Sequence, residues 1–559
     1  MTEAGYCSVD SGDLRLGVWV EGEPGAPVIV FVHGFPDTAA LWERVVAELG
    51  ERYRVVRYDV RGCGRSGRPR GRDGYRVERL AADLVAVARA VSPGRAVHVV
   101  GHDWGSVQAW EAVTDPTYSG VFASFTSVSG PSLDHLGWWV RGALRRPSWD
   151  GVRGLATIAV RSAYTWVFRS WAGELVAPFL ARRFGVRSGD VRRGLELYRA
   201  NLPGLVRSAK ERSASLPVQL VVPGRDPFVT PAHVAGTARW AERLWRRELP
   251  GAGHWVPRTH PAALARMVGE FVDHVEGAPA SRGLRAAVSS ARFGEKVVLV
   301  TGGASGIGRA CARGFAAAGA EVVVVDVDGA GASAVAAEVG GTAYAVDVAD
   351  GAAVAALAER VRAEVGVPDV VVANAGVAVT GPFLDTSVAD WERVVEVNLW
   401  GVIHTLRAFG KQLAERGEGG QLVVTASMAA YTPTRNLPAY ATTKAAVLML
   451  AQCLRAELAG RGIGVSAICP GIVHTNITRS ARFAGTDPAT QERLREFTTR
   501  RYLRRGFAPE RVASAVLDAV ERNLAVVPVT GEARLGLLVS RLSPAVLRAA
   551  ARVDLLPRR

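Results

Sequence analysis

The sequence predicts an α/β protein with two separate, mainly parallel sheets. In the first half, apolar strands that end in polar turns alternate with amphipathic helices, an order typical of parallel sheets covered on both faces. The stretch 276–283 is rich in Gly, Pro and small residues, which predicts a linker. A new apolar strand at 296–300 then runs into a glycine turn. Since 559 residues are too many for one ordinary core, we expect two domains.

The composition excludes several classes of protein. No apolar run approaches the roughly 18–20 residues needed to span a bilayer, and the N-terminus lacks the basic and then apolar pattern of a signal peptide. The cysteines are far apart and form no C-x-x-C pair, which favours a reducing cytoplasm without a disulfide framework or a metal cluster. They are Cys7, Cys63, Cys311, Cys453 and Cys469.

The net charge of +15 comes almost entirely from arginine, because only four of the 68 basic residues are lysines. An arginine bias can reflect genome composition. We find no helix-turn-helix, zinc finger or aromatic RNA-binding strand, so nucleic acid is not an expected partner. An anionic membrane surface or an acidic substrate stays open.

The most informative turn of the first half is Gly101-His102-Asp103-Trp104-Gly105, which joins a strand to a helix. Glycines two positions to either side let the chain bend sharply and present Asp103 above the sheet, where an esterase would have Ser. A carboxylate can displace a leaving group at an sp³ carbon and form an alkyl–enzyme ester. Hydrolysis of that ester requires an activated water.

Asp226 and His254 follow in the chain order nucleophile, acid, histidine. His254 would take a proton from water, and Asp226 would hold the imidazole in the required tautomer. Singly, these residues could be a turn former and a surface histidine, and Asp103 a helix N-cap. Their common order after strands favours a catalytic triad.

With these residues, the first half resembles the α/β-hydrolase superfamily and, within it, the epoxide hydrolases, over about residues 6–276. We place the hydrolase domain at 1–277. The resemblance implies that the backbone N–H groups of Phe35 and Trp104 form an oxyanion hole. The motifs that carry it are His33-Gly34-Phe35-Pro36, Asp59-x-Arg61-Gly62-x-Gly64-x-Ser66, the Asp103 turn, Asp226 and His254.

The alternation of strands and helices stops at about 131–216, where the sequence predicts helices rich in tryptophan and arginine. The family places a helical cap here, with two tyrosines that bind the epoxide oxygen. Tyr198 matches the second of these, and Tyr164 is the candidate for the first; either could be ordinary packing. The tryptophans could line an apolar pocket, pack internally or contact a membrane interface.

A haloalkane dehalogenase is the main alternative for this half, because it has a similar Asp–His–acid set. Such an enzyme needs N–H donors that bind the halide, and Trp104 could supply one of these donors. The Asn that often follows the His-Gly pair is absent, since Phe35 stands there. Epoxide hydrolysis is therefore favoured.

In the second half, the strand 297–300 leads into the turn 301–308, Thr-Gly-Gly-Ala-Ser-Gly-Ile-Gly, and then a helix. Such glycines let the backbone approach a pyrophosphate at the helix N-terminus. Asp326 ends the next strand and can bond ribose hydroxyls while repelling a 2′-phosphate, which favours NAD over NADP. Arg309, just beyond the turn, argues weakly the other way.

Tyr440 and Lys444 are four residues apart on a predicted helix and so share one face. A nearby ammonium lowers the pKa of a tyrosine toward a value usable for proton transfer. Ser427 can hold the substrate oxygen against Tyr440. Asn374-Ala375-Gly376 and Asn398 come before these residues in the chain.

This half resembles the short-chain dehydrogenase/reductase family over about residues 294–530. The resemblance implies Tyr440 as acid and base, Lys444 at the ribose, Ser427 at the substrate and Asn398 in a proton relay. It also implies a Rossmann-type doubly wound sheet and a homo-oligomer. The expected NAD-binding residues are Gly302, Ser305, Gly306, Ile307, Gly308, Asp326, Asp347, Val348, Asn374, Ala375, Gly376, Tyr440, Lys444, Pro470, Gly471 and Thr475.

We place this second domain at 294–559, after a linker at 278–293. Its tail from about residue 531 exceeds the usual family length and predicts a basic amphipathic helix that Pro544 breaks in two.

As a whole, the chain resembles bacterial epoxide hydrolase D-like fusion proteins. We expect a cytoplasmic bifunctional enzyme acting on apolar epoxides and on alcohols or ketones, with peripheral membrane contact left open. The alternatives are a dehalogenase fused to an alcohol dehydrogenase, and one inactive half that serves as a binding module.

Overall fold

A computed structural model describes residues 5–474 and 482–552. It divides into two compact units, Met1–Val288 and Ser289–Arg559. Each unit has its own sheet and its own core, and each is described by itself below.

The first unit is built on an eight-stranded sheet, counted over its described residues, in the order β1-β2-β4-β3-β5-β6-β7-β8. The pairs β1–β2 and β2–β4 are antiparallel, and the remaining pairs are parallel. The strands are β1 Tyr6–Ser11, β2 Leu14–Glu21, β3 Val28–Val32, β4 Arg54–Tyr58, β5 Val97–His102, β6 Phe122–Val128, β7 Val218–Pro223 and β8 Leu244–Leu249.

Helices cover both faces of this sheet. Side chains alternate between the faces along a strand, so Val30 and Val32 of β3 pack in one core cluster while Ile29 and Phe31 pack in another. The helices outside the cap are α1 Glu43–Leu49, α2 Val77–Val91, α3 Trp104–Val113, α10 Val256–Thr259, α11 Pro261–Val275 and α12 Arg282–Val288.

A helical cap is inserted between β6 and β7, within the range the sequence predicts. Asn201 fixes it to the sheet domain, because its side chain accepts a 2.9 Å hydrogen bond from Val77 N–H and donates one of 2.9 Å to the Tyr75 carbonyl. The cap helices are α4 Leu133–Arg145, α5 Trp149–Arg161, α6 Tyr164–Arg169, α7 Ala172–Phe184, α8 Ser188–Asn201 and α9 Leu205–Ser208.

The predicted linker 278–293 differs from the structure in its middle, where α12 forms and packs against β8. Leu284 is fully buried there. Gly277 and Pro279, which suggested a linker, lie before this helix, whereas Gly283 lies within it. One buried leucine in a short stretch gives little sequence signal.

The second unit is a doubly wound sheet of seven parallel strands among its described residues, in the order β11-β10-β9-β12-β14-β15-β17. The short strands β13 and β16 pair separately. The strands are β9 Val297–Thr301, β10 Glu321–Asp326, β11 Thr342–Ala345, β12 Val370–Ala373, β13 Val379–Thr380, β14 Gly420–Thr425, β15 Ile463–Cys469, β16 Arg482–Phe483 and β17 Val526–Pro528.

Helices lie on both faces of this sheet as well, since Val298 and Val300 of β9 join one core cluster and Val297 and Leu299 the other. The predicted fold class is confirmed for both halves. The helices are α13 Gly306–Ala317, α14 Gly329–Val339, α15 Gly351–Glu364, α16 Val388–Val395, α17 Gly401–Arg416, α18 Pro438–Leu458, α19 Pro488–Arg505, α20 Pro509–Glu521, α21 Gly531–Leu542 and α22 Pro544–Ala550.

The C-terminal extension forms α21 and α22, with the break at Ser543 and Pro544 that the sequence predicts. Within the portion of the chain that the structure describes, no helix has both the length and the apolar character needed to cross a bilayer.

Candidate active sites

Asp103 lies in the sharp turn between β5 and α3, where its φ is +54°. Such a φ is uncommon for a residue with a side chain. A Cβ on Gly105 would lie 2.1 Å from the Val32 carbonyl oxygen, and one on Gly101 would lie 2.6 Å from Ser106 Cα. The turn therefore requires both flanking glycines and carries Asp103 out of the strand.

His254 lies between two carboxylates. Its Nδ1 is 2.9 Å from Asp226 Oδ2, and its Nε2 is 3.5 Å from Asp103 Oδ2. The other oxygen of Asp226 accepts hydrogen bonds from the N–H groups of Phe228 and Val229, at 2.8 and 2.9 Å. The structure thus brings the three predicted residues together, with Asp226 fixed in orientation.

The two carboxylates control the ionisation of His254. Burial alone lowers its pKa, but hydrogen bonds to Asp103 and Asp226, and their charges, outweigh burial and raise the pKa to about 10. Burial raises the pKa of Asp226, but the hydrogen bond from His254 and the backbone donors lower it overall. His254 is therefore an imidazolium while both neighbours are charged.

Phe35 donates its backbone N–H to Asp103 Oδ1 across 2.8 Å. Gly34 leaves room for that oxygen, since a Cβ there would lie 2.4 Å from it. The oxyanion role of the Trp104 N–H stays a prediction. Its indole ring packs edge-on against Tyr198, with centroids 5.0 Å apart.

The two cap tyrosines meet near Asp103. Tyr164 begins α6 and Tyr198 lies in α8; their side chains are hydrogen-bonded to each other and their ring centroids are 6.2 Å apart. Burial raises the pKa of both hydroxyls, and the charge of Asp103 raises it further. Both tyrosines therefore remain protonated and can donate a hydrogen bond.

Two aromatic residues that the sequence reasoning missed complete this site. Phe228 lies 5.1 Å from His254 and 4.9 Å from Tyr164, measured between ring centroids. Phe168 lies 5.1 Å from Tyr198 and 5.5 Å from Phe35. They give the site apolar walls. Their positions depend on packing between the cap and the sheet domain, and a single sequence gives no direct signal of that packing.

The motif around Asp59 and Arg61 has a structural role. Asp59 accepts backbone N–H groups of Ala39 and Arg65 at 2.9 and 2.8 Å. Arg61 forms a buried two-point ion pair with Asp83, at 2.6 and 2.7 Å. These contacts fix the loop after β4.

In the second unit, a cleft of about 910 Å³ opens at the carboxyl ends of the strands. Most of the predicted cofactor-binding residues line this cleft, together with Ser427, Tyr440 and Lys444. The lining includes Gly302, Ser305, Gly306, Ile307, Asp326, Asp347, Val348, Asn374, Ala375, Gly376, Pro470 and Gly471. Thr475 lies outside the described residues.

Gly308 and Asn398 are not among the described residues that line this cleft, and each instead supports a neighbouring segment. A Cβ on Gly308 would lie 2.0 Å from the Gly302 carbonyl oxygen, so Gly308 lets the helix approach the turn. Asn398 is buried in a π-helical turn, Glu396–Trp400, and exchanges hydrogen bonds of 2.8 and 3.0 Å with the Val377 backbone. Asn398 is therefore held by main chain at the edge of the site.

The residues present fit a dinucleotide. Asp326 ends β10, and its carboxylate accepts the N–H groups of Ala304 and Asp328, both at 3.0 Å. Gly302, at φ +63°, brings the chain back to the N-terminus of α13. The cleft thus combines a helix N-terminus suited to a pyrophosphate with an acid suited to a ribose.

Tyr440 and Lys444 lie on the same face of α18, with the ammonium nitrogen 5.7 Å from the centre of the tyrosine ring. Lys444 donates a 2.7 Å hydrogen bond to the Thr425 carbonyl, and burial lowers its pKa to about 8. Ser427 lies two residues after the end of β14, and its hydroxyl accepts the Ala429 N–H at 3.1 Å.

The C-terminal extension reaches the same cleft, which sequence reasoning did not predict. Leu547, Ala550 and Ala551 line it, together with Phe497 of α19. Arg435 donates a 3.5 Å hydrogen bond to the Arg552 carbonyl and so joins the extension to the loop after β14.

Comparisons with known proteins match both halves. A family model described as "alpha/beta hydrolase fold" covers residues 27–261, and one described as "short chain dehydrogenase" covers residues 296–484. The chain is 44% identical over 585 aligned residues to "Probable oxidoreductase EphD" of Mycobacterium tuberculosis and Mycobacterium bovis, with 98% of each chain covered.

The second half alone is 41% identical to D-threitol dehydrogenase of Mycolicibacterium smegmatis, over 34% of this chain and 75% of that protein. A short-chain dehydrogenase/reductase from Burkholderia phymatum, solved in complex with NAD, is 28% identical, covers 48% of this chain and 99% of its own, and superposes with a TM-score of 0.43.

Fold and sites thus define a fusion of an α/β-hydrolase-fold domain with a short-chain dehydrogenase/reductase domain. The chain belongs to the family of two-domain oxidoreductases represented by EphD.

Proposed function

We propose that the first unit hydrolyses epoxides to vicinal diols through an ester on Asp103. The supporting observation is that Tyr164 and Tyr198 meet beside Asp103, with ring centroids 6.2 Å apart, and that the charge of Asp103 helps to raise the pKa of both hydroxyls. An epoxide oxygen stays attached to the carbon skeleton and needs a proton when the ring opens. A halide leaves without one, so neutral O–H donors favour the epoxide.

In the first step, Asp103 Oδ2 attacks an epoxide carbon while Oδ1 stays bound to the Phe35 N–H. The carbon–oxygen bond of the ring breaks, and the released oxygen takes the proton of Tyr164 or Tyr198. The products are a hydroxyalkyl ester and a tyrosinate. The raised pKa of both tyrosines makes the tyrosinate a strong base that is later reprotonated.

In the second step, His254 takes a proton from water, and the resulting hydroxide attacks Cγ of Asp103. Negative charge then develops on Oδ1, and the hydrogen bond from the Phe35 N–H stabilises it. The ester bond breaks, and His254 returns its proton to the leaving alkoxide. The acid proton of the regenerated Asp103 passes to the tyrosinate, so one water is consumed for each diol.

Ester formation itself prepares His254 to act as a base. The charge of Asp103 is one cause of the raised pKa of His254, and alkylation removes that charge. The pKa of His254 then falls, so the imidazolium releases its proton to solvent before water is activated, and His254 takes up a proton again when hydrolysis restores the charge of Asp103. Asp226 keeps the ring oriented throughout.

We further propose that the second unit oxidises an alcohol or reduces a ketone with NAD(H). When bound, NAD supplies the hydride acceptor. Ser427 and Tyr440 hold the substrate oxygen, and Tyr440 takes its proton while the Lys444 ammonium stabilises the tyrosinate. Asp326 at the ribose end favours NAD over NADP, because a 2′-phosphate would meet its charge.

As a hypothesis, the diol from the first site is oxidised at the second, since fusion raises the local concentration of a shared intermediate. A purified diol product should then yield NADH. Release of NADH from an unrelated alcohol but none from the diol would contradict this link without affecting either single activity.

The experiment that tests the hydrolase chemistry is mass spectrometry of His254→Gln after mixing with an aryl or long-chain epoxide. Without its base the enzyme should keep the ester, so the Asp103 peptide should gain the mass of the whole epoxide. A haloalkane is tested in parallel, and His274→Gln, a histidine on the distant end of α11, serves as the matched control.

An adduct formed only from the haloalkane would assign this unit to dehalogenation. If neither reagent leaves an adduct, the proposed ester chemistry is wrong and a binding role for the unit should be pursued.

A further inference from the structure

The cap segment from α5 to α7 exposes large apolar side chains. Six of them, here called the cap face, are 68% to 90% exposed. They are Trp149, Val160, Trp166, Trp171, Leu175 and Phe179. Monomeric proteins rarely expose a large contiguous apolar surface unless it contacts a partner or a membrane. The sequence had left open that these tryptophans pack internally; the structure excludes this for Trp149, Trp166 and Trp171.

The exposed residues follow helical spacing. Trp171 is the N-cap residue of α7, and Leu175 and Phe179 follow it at intervals of four residues, so the three form one stripe. The opposite side of α7 is buried through Gly173, Ala177 and Ala181. The helix is therefore amphipathic in an unusual sense: small residues face the protein, and the largest apolar residues face outward.

The segment that carries the cap face is strongly basic. The segment 144–183 contains seven arginines and two acidic residues, Asp150 and Glu174. Glu174 is paired with Arg199 at 3.0 Å, which weakens its effect on the local charge. The Arg169 guanidinium lies over the Trp166 ring at 5.2 Å. Aromatic rings interleaved with arginine are suited to an interface between anionic lipid headgroups and acyl chains.

Helix α6 connects this surface to the hydrolase site. Tyr164 at its start is partly buried and close enough to Asp103 for that charge to raise its pKa, and Phe168 packs against Phe35 and Tyr198. Trp166 and Val167 on the same short helix are exposed.

We propose that the cap face docks on an anionic bilayer surface and that this brings the hydrolase site to apolar substrates dissolved in the membrane. The docking does not depend on the chemistry proposed for Asp103. Trp, Leu and Phe side chains enter the headgroup region, and arginines bind lipid phosphates. Protein partners also favour exposed aromatic residues, but the excess of arginine over acidic residues in this segment favours an anionic lipid surface.

The test is flotation of the full chain with vesicles of phosphatidylglycerol and phosphatidylcholine, compared with phosphatidylcholine alone. We expect binding to the anionic vesicles, with weaker binding when salt is raised from about 0.05 to about 0.5 M because the charges are screened. The variant Trp149→Ser/Trp171→Ser/Phe179→Ser should lower the partition coefficient by about tenfold or more.

The matched control is Phe383→Ser/Leu384→Ser/Val388→Ser, which removes three exposed apolar residues of the second unit and should bind vesicles as the wild type does. Turnover of a water-soluble epoxide should be equal in all three proteins, which separates docking from chemistry. Absence of wild-type binding, or equal loss in both variants, would overturn the proposal. A mass in solution that falls to that of one chain only in the cap variant would instead assign the cap face to contact between copies.

Discussion

The Phe35 N–H holds Oδ1 of Asp103 at 2.8 Å, which distinguishes the two oxygens of one carboxylate. Oδ1 is fixed to the backbone, whereas Oδ2 faces His254. Because a neutral carbonyl and a tetrahedral oxyanion can both use the same donor, Oδ1 can remain in place through both proposed steps.

The first prediction concerns Asp226→Asn. The amide keeps the shape of the carboxylate but favours the wrong tautomer of His254, so kcat for diol formation should fall by about 10³–10⁴. Steady-state kinetics measure the fall, and mass spectrometry should find the Asp103 ester during turnover. A decrease smaller than about tenfold would contradict the orienting role of Asp226.

The second prediction concerns the cap tyrosines. Tyr198→Phe and Tyr164→Phe remove proton donors, so the rate of adduct formation in rapid-mixing experiments should fall by about 10²–10⁴ for a donor that acts in ring opening. Tyr118→Phe, outside the site, is the control. If adduct formation is unchanged in both cap variants, the tyrosines only pack.

The third prediction follows from the raised pKa of His254. An NMR titration of the free enzyme should find this imidazole still protonated above pH 8, and Asp103→Asn should lower its pKa because one neighbouring charge is lost. A titration midpoint near 6.5 in the wild type would contradict the proposed electrostatics.

The same shift affects stability. The pKa of His254 is 6.5 in the unfolded chain and about 10 in the folded one. The contribution of His254 to the free energy of unfolding is therefore fully present below pH 6.5 and is lost as the pH rises toward 10. The difference in this free energy between wild type and His254→Gln, from urea unfolding, should shrink across that window.

The fourth prediction concerns the dinucleotide. Asp326→Ser combined with Val327→Arg removes a repelling charge and adds an attracting one at an exposed position in the cleft lining. The ratio of kcat/KM for NADP to that for NAD should rise by about 10²-fold or more. Arg309→Ala is tested in parallel. A fall in kcat/KM for NADP in this variant would show that Arg309 already contacts the 2′-phosphate.

The fifth prediction concerns the C-terminal extension. Leu547→Gln places a polar group in the cleft lining, so kcat/KM for an apolar alcohol should fall by about tenfold or more while KM for NAD stays the same. Leu538→Gln, on the exposed side of α21, is the matched control. Equal effects of the two variants would indicate that the extension has only a structural role and that Leu547 does not contact the substrate.

Much of the fold and site could be predicted because local chemistry determines it. The glycines around Asp103 predicted the turn, and the four-residue spacing of Tyr440 and Lys444 predicted their common face. Phe228, Phe168 and the wall from Leu547 could not be predicted, because distant elements bring them to their sites. Apolar residues in a helix also give no indication of which ones a protein leaves exposed, as Trp149 illustrates.

The catalytic turn of the first unit is bounded mainly by main chain. Besides Gly101 and Gly105, a Cβ on Gly130 would lie 2.2 Å from the Asp103 carbonyl oxygen. Any substitution at these glycines would displace the backbone that presents the nucleophile. During evolution the side chain at position 103 could therefore change, and with it the reaction catalysed, whereas the surrounding glycines could not change without loss of the geometry that all such reactions require.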